Sequence, residues 1–438
     1  MAHPTQHRGW IDGANLRMAI ASMAVAIFII TASHIAVAQT FTALHGFNGM
    51  PDGATPIGGL TMDRAGNFYG TTQYGGADGY GMVFKLVHTG STWIMHPLYS
   101  FPSIFRQGAN DGAEPMAGVT IGPDGNLYGT NTLGSGSSNF GTVFKLSPPA
   151  SVCRSTMCPW TETILYRFTG ASDGGVPSGP VIFDRNGNLY GNTSYGGVTC
   201  GPGYSCGVVF KLTRSGSSWT ESVLHAFSGS PDGANPGGAL VFDRAGNLYG
   251  TAGYGGSAND GAVFQLTPSG SGWTENVIHN FDYFDDGAIP QGGVIFDNAG
   301  NLFGTTVFAT TGDGTVFELT PSGGQWTYTL LYSLMSEQSG IPGPLGPLAM
   351  DSGGNLYGMT FEGGDVFGAG DCEYGCGTVF KLTPAGGGWA YSLLYEFMGG
   401  TDGARPYDGV ILDRNGNLYG TASTGGERGQ GTVFEITP

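Results

Sequence analysis

The sequence predicts an all-β protein: a seven-bladed β-propeller with four antiparallel strands per blade, closed by an N-terminal strand that completes the C-terminal blade. Two observations carry this. The stretch Gly-Asn-Leu-Tyr-Gly or a close copy recurs seven times, at 66–70, 125–129, 187–191, 246–250, 300–304, 354–358 and 416–420. A period of this size marks a repeat architecture, in which each unit buries its faces only against its neighbours. The ends of the array are also complementary: the last unit lacks its fourth strand, and Phe41–Phe47 matches a fourth strand and nothing else. An open array has no use for that match.

One unit can be followed from Asp232 to Phe281. A turn-rich loop, Asp232-Gly233-Ala234-Asn235-Pro236, leads into a first strand at Ala239–Phe242. Asp243-Arg244-Ala245-Gly246 then turns the chain into a second strand, Asn247–Thr251. A Gly-rich loop leads to the third strand, Ala262–Thr267, and Pro268–Gly272 turns into the fourth, Trp273–Phe281. Each predicted strand is rich in β-branched and aromatic residues and bounded by Gly, Pro, Asp or Ser. Asp-x-x-Gly between two strands fits a type I turn followed by a left-handed Gly, with the carboxylate accepting the turn amides. Asp63, Asp184, Asp243, Asp297, Asp351 and Asp413 hold that place, while the second unit has Gly122 there and moves the acid to Asp124.

Pro180 and Pro347 begin first strands. Proline is tolerated at strand starts and edges, so the first strand is expected innermost and the fourth outermost. A Trp stands eight residues before the end of each fourth strand (Trp93, Trp160, Trp219, Trp273, Trp326 and Trp389). Counting back eight from Phe47 reaches Gln39. That residue follows a predicted leader. Arg8 and Arg17 precede an uncharged, largely apolar run, Met18–Ala32, and Ala36-Val37-Ala38 is a small-residue cleavage site. The run is short for a membrane span, which needs about 20 residues. The expected organisation is a signal peptide at 1–38 and a single propeller at 39–438, monomeric and detached from the membrane once cleaved.

Composition narrows the function classes. Gly numbers 81 without a Gly-X-Y period, and 40% hydrophobic with 12% aromatic content suffices for a core. The net charge of −17 rests on 33 acidic against 16 basic residues, so phosphate backbones and anionic membranes are repelled and nucleic acid is excluded as a partner. Six cysteines fall into three close pairs: Cys153 with Cys158, Cys200 with Cys206, and Cys372 with Cys376. Even number, short spacing and export predict three loop disulfides. None has CxxC spacing or a nearby His, which argues against zinc.

The pattern Asp-x-x-Gly-Asn-Leu-Tyr-Gly-Thr-Thr, Gly-Gly, Gly-Thr-Val-Phe-Lys-Leu-Thr-Pro, Trp, Leu-Tyr-x-Phe resembles the GloVer tandem-repeat family of exported bacterial proteins. The fullest matches are Asp63–Thr72 and Gly377–Pro384, followed by Trp389 and Leu394–Phe397. The resemblance extends over essentially all of 39–438, and more distantly the turn is similar to that of NHL-type propellers. It implies a secreted or surface location and no established activity. Such members often end in a C-terminal anchor, whereas this chain stops at Pro438; the expectation is a soluble secreted, periplasmic or cell-surface protein.

Motifs for nucleotide, zinc or serine-hydrolase chemistry are missing, no catalytic residue is assigned, and no cofactor is expected. His45, His225 and His279 replace the Tyr of other units (Tyr99, Tyr166, Tyr332 and Tyr395) at one strand position, which reads as structural. The loops before the first strand and after the second share one face. They carry Asp52, Asp111, Asp173, Asp232, Asp286 and Asp402 in Asp-Gly-Ala or Asp-Gly-Gly turns, and Tyr74, Tyr195 and Tyr254 before Gly-Gly. These are the candidate ligand contacts: tyrosines to stack on sugars, carboxylates to bind polar groups or calcium through oxygens. The same Asp-Gly turns also cap loops in their own right. The expected function is a non-catalytic binding or surface module for an extracellular carbohydrate or protein. The alternative is a carbohydrate-active enzyme, a polysaccharide lyase or glycosidase, working with carboxylates on the loop face.

Overall fold

Each repeat unit folds into a four-stranded antiparallel sheet, and seven such sheets form the propeller in the computed structural model. The structure describes residues 39–104, 111–134, 139–149, 160–201, 204–310, 312–334, 343–364 and 372–437. The leader lies outside them. So do Cys153 and Cys158, the pair expected to form the first loop disulfide. No helix among the described residues is long and apolar enough to cross a membrane. Blades one to seven begin at Thr61, Thr120, Ile182, Gly233, Val294, Ala349 and Ile411.

Blade seven tests the closure. Its sheet runs Ile411–Leu412, Leu418–Ala422, Thr432–Thr437 and then Thr40–Gly46, which pairs antiparallel from Thr40 opposite Thr437 to Gly46 opposite Thr432. The N-terminal strand therefore completes the C-terminal blade. Trp93 of blade one reaches back across this seam to within 6.4 Å of the Tyr419 ring of blade seven.

The Asp-x-x-Gly turn is built as its residues dictate. Gly66 donates its N–H to Asp63 O, and at φ 82° it sits where a side chain is strained. One Asp63 carboxylate oxygen accepts the Ala65 and Asn67 N–H groups; the other accepts the Asn67 side-chain amide and the Tyr69 hydroxyl. Burial pushes this carboxyl up, but the four hydrogen bonds outweigh it and hold it below its ordinary range. In blade two Asp124 does the same work from inside the turn, accepting from Asn126 and Tyr128.

The cores lie between blades. Gly250 is directly opposite Phe264, and a Cβ there would stand 2.6 Å from the Phe264 ring. The missing side chain lets that ring lie flat across the sheet and meet Phe227 of blade three edge-on at 5.1 Å. The same Phe pair recurs at Phe47/Phe84, Phe101/Phe144, Phe168/Phe210, Phe281/Phe317 and Phe397/Phe434.

Two features depart from the sequence reading. The innermost strands are shorter than expected, two residues long in five blades and three in blade five, although blade four extends to ten, Gly233–Phe242. Proline without an N–H and Gly pairs with no side chain to pack leave the inner edge little to pair with. The outer strand pair of each blade also carries a bulge, as between Val263 and Phe264. A bulge re-aims the next side chain, here the repeated Tyr or His near the end of the fourth strand.

Candidate functional site

The bulge turns that Tyr or His toward the Asp of the following loop. His45 meets Asp52 at 3.2 Å, His225 meets Asp232 at 3.1 Å and His279 meets Asp286 at 2.7 Å. The Tyr166 and Tyr395 hydroxyls donate to Asp173 and Asp402, each at 3.0 Å, and Tyr99 donates to Asp111. The acid also caps its own loop: backbone N–H groups of Asn48, Thr169, Ser228, Asp282 and Met398 donate to Asp52, Asp173, Asp232, Asp286 and Asp402 at 2.7–2.9 Å. Burial raises the Asp52 and Asp232 carboxyls, but the histidines and the loop amides more than offset this and hold both below the ordinary value. These six carboxylates are thus engaged inside the protein.

A third position joins them across the seam. Two residues after the repeated Trp, the fourth strand of the next blade carries Glu162, Glu221 or Glu275. One Glu162 carboxyl oxygen stands 3.3 Å from the Tyr99 hydroxyl, whose single proton goes to Asp111, and the other is sealed without a hydrogen-bond partner. Burial, then the negative charge of Asp111, pushes Glu162 up to about 8. Burial and Asp173 push Glu221 up to about 7, and burial and Asp232 push Glu275 up. Blade one has Met95 at this place, and the remaining blades have aromatic rings: Tyr391 stacks on Tyr332 at 4.8 Å, and Phe41 on Tyr395 at 4.3 Å.

The central channel narrows to a cavity of about 310 Å³, lined largely by apolar side chains and glycines. Asp408 is the one acid on its described lining, where other units have Gly or Ala. Its carboxylate accepts the Gly59 N–H at 2.6 Å and the Gly409 N–H at 2.7 Å, tying blade seven to blade one. Burial nonetheless pushes this carboxyl up.

The larger opening is on the loop face, between blades three and four. A cleft of about 990 Å³ is lined by Tyr195, Tyr204, Tyr254, Asn235 and Asn259, beside the Cys200–Cys206 disulfide. Tyr195 and Tyr254 are thus brought together, 38% and 41% exposed, while Tyr74 is exposed over the distant blade one. Phe140 stacks on Tyr195 at 5.5 Å and fixes its ring. Tyr204 is the most open of the group at 73%. It was missed in the sequence, although its place inside a short cysteine loop on a propeller rim is a readable signal.

A second described disulfide, Cys372–Cys376, staples the corresponding loop of blade six. The expectation of three disulfides is therefore met by two among the described residues. The bond expected between Cys153 and Cys158 falls in the segment 150–159, outside the described residues.

A model of the Gloeobacter/Verrucomicrobia repeat matches residues 26–200 and 150–372. The chain belongs to this family. No curated protein sequence matches it. The fold of this Gloeobacter/Verrucomicrobia repeat protein is similar to that of solved propellers at low identity. One is a polysaccharide lyase, the PL25 ulvan lyase, with TM-score 0.55 and 11% identity over 90% of this chain and 95% of that one. Another is the extracellular domain of a putative one-component system from B. thetaiotaomicron, with TM-score 0.51 and 10% identity over 90% of this chain and 40% of that one. A third is a putative 6-phosphogluconolactonase from Bacteroides uniformis, with TM-score 0.50 and 14% identity over 83% and 89%.

Proposed function

We propose that this is an exported, non-catalytic binding propeller whose loop-face cleft between blades three and four takes an extracellular carbohydrate. The observation that carries the reading is the convergence of three exposed tyrosines with Asn235 and Asn259 around one cleft. Tyrosine offers a flat apolar face with a polar edge, which suits the C–H face and hydroxyls of a sugar ring. The asparagines supply both donors and acceptors, and the disulfide and the Phe140 stack hold the rim in place before a ligand arrives. The six loop acids, engaged inside the protein, are supports of this face. Export is supported by the predicted leader and by the two loop disulfides, which persist in oxidising compartments.

The test is a calorimetric screen of the purified protein against extracellular polysaccharides, repeated with Tyr204→Ala and Tyr254→Ala. A glycan should bind, and each substitution should weaken it at least tenfold without changing the melting temperature. Absence of binding across the screen, or binding untouched by both substitutions, contradicts the reading. Breakdown of a bound glycan points instead to the enzyme.

A further inference from the structure

The seam between blades three and four differs from its six counterparts in donor chemistry. Its three seam positions are His225, Asp232 and Glu275, one nitrogen and two carboxylates, with ligand atoms all within 4.8 Å of one another. At the two preceding seams a Tyr replaces the His (Tyr99/Asp111/Glu162 and Tyr166/Asp173/Glu221), and at the following seam Tyr328 replaces the Glu beside His279 and Asp286. A phenol is a poor ligand at neutral pH because it stays protonated, whereas imidazole and carboxylates are the common donors of zinc-class sites.

We propose that His225, Asp232 and Glu275 hold a divalent transition-metal ion of the zinc class, clamping blade three to blade four. His225 Nε2 and Asp232 already stand 3.1 Å apart, close to the separation of about 3.4 Å that tetrahedral donors at about 2.1 Å from zinc adopt. The Glu275 oxygen lies within 4.8 Å of the other two ligand atoms, so a side-chain shift of at most about 1.4 Å brings it to the same centre. That carboxylate has an oxygen sealed from solvent with no hydrogen-bond partner, and two acids facing one imidazole leave negative charge for a cation to neutralise. Asp232 is oriented by the Ser228 N–H and hydroxyl at 2.9 and 3.1 Å and by the Gly233 N–H at 2.7 Å, the kind of outer support that fixes a ligating carboxylate. Water completes the coordination. The site adjoins the tyrosine cleft, since Ser228 lines the cleft and also donates to Asp232, but its donor set does not depend on which ligand that cleft takes.

The repeat supplies its own controls. His225→Tyr recreates the Tyr166 arrangement one seam away, and Glu275→Gln removes the ligand charge while keeping its shape. After chelator treatment and dialysis, the full chain is titrated with Zn²⁺ by calorimetry and with Co²⁺ by visible absorption, and melted with and without Zn²⁺. One equivalent should bind, raise the melting temperature and give an intensified Co²⁺ spectrum. Both variants should weaken Zn²⁺ at least tenfold and lose the Co²⁺ spectrum, while His279→Tyr, at the next seam, behaves as the parent. No one-to-one binding, or binding unchanged in both His225→Tyr and Glu275→Gln, overturns the site. Loss in Glu275→Gln alone, with Ca²⁺ binding as well as Zn²⁺, overturns the His ligand. Should His225→Tyr fail to fold, Glu275→Met, matching Met95 of blade one, gives the same reading.

Discussion

Replacing Glu162 by Gln should flatten the alkaline side of the protein's stability profile. Glu162 sits at the seam between blades one and two with Tyr99 and Asp111, and burial first, then the Asp111 charge, moves its carboxyl from 4.5 to about 8. A native pKa above the unfolded one means that the folded state keeps the proton longer. The contribution is whole below about 4.5 and is lost as pH rises through about 8. At about 1.4 kcal/mol per unit, the shift is worth at most roughly 5 kcal/mol, and partial water access to the seam brings this to roughly 2–4 kcal/mol. Gln resembles the protonated acid, so it keeps a donor toward Asp111 and cannot ionise. Urea unfolding at pH 5, 7 and 9 should show near-equal stability at pH 5 and a variant more stable than the parent by about 2–4 kcal/mol at pH 9. Parallel pH profiles for parent and variant would refute the buried-acid account of this seam. Glu221, pushed up to about 7, adds stability loss of the same sign.

Three further outcomes follow from the packing. Gly250→Ala puts a methyl 2.6 Å from the Phe264 ring and 2.7 Å from Leu240, and should cost about 1–3 kcal/mol by overpacking, read by urea unfolding. Deleting 39–47 removes the outer strand of blade seven and exposes the paired edge of Thr432–Thr437; the product should aggregate or stay unfolded by circular dichroism, and a melt like the parent's would contradict closure. Asp63→Ala removes the acceptor of four hydrogen bonds and should lower stability by about 1–2 kcal/mol, measured by thermal melting near neutral pH.

Much of the fold is legible because its constraints are local and repeated. The Asp63 turn satisfies itself within seven residues, and Phe47 announces a missing outer strand through a pattern seen in every other unit. What escapes is the chemistry of the seams. Asp111 and Glu162 belong to different units, and nothing in either segment says that propeller packing brings them to one Tyr hydroxyl. The bulge beside Phe264 is likewise a matter of register between strands, invisible in either strand alone. Yet Glu162, Glu221 and Glu275 all follow a Trp by two residues, a signal whose meaning needs the neighbouring blade. In the candidate cleft, Tyr195 and Tyr254 were legible as exposed loop residues. Tyr204 carried a signal in its short cysteine loop, but Asn235 and Asn259 did not, because their convergence depends on how two adjacent loops lean together. Asp408 stands where its sister units have Gly or Ala, and its clasp on Gly59 spans the whole chain.

The central claim is that the cleft between blades three and four binds a glycan, and hydrogen exchange on the saturated complex tests it most directly. The account predicts slowed exchange in segments 194–201, 204–206, 228–235 and 254–259, which carry the cleft lining, with the Asp-x-x-Gly turns of the opposite face unchanged. Protection confined to that opposite face or to the channel lining around Asp408, with the cleft segments exchanging as in the free protein, would contradict it.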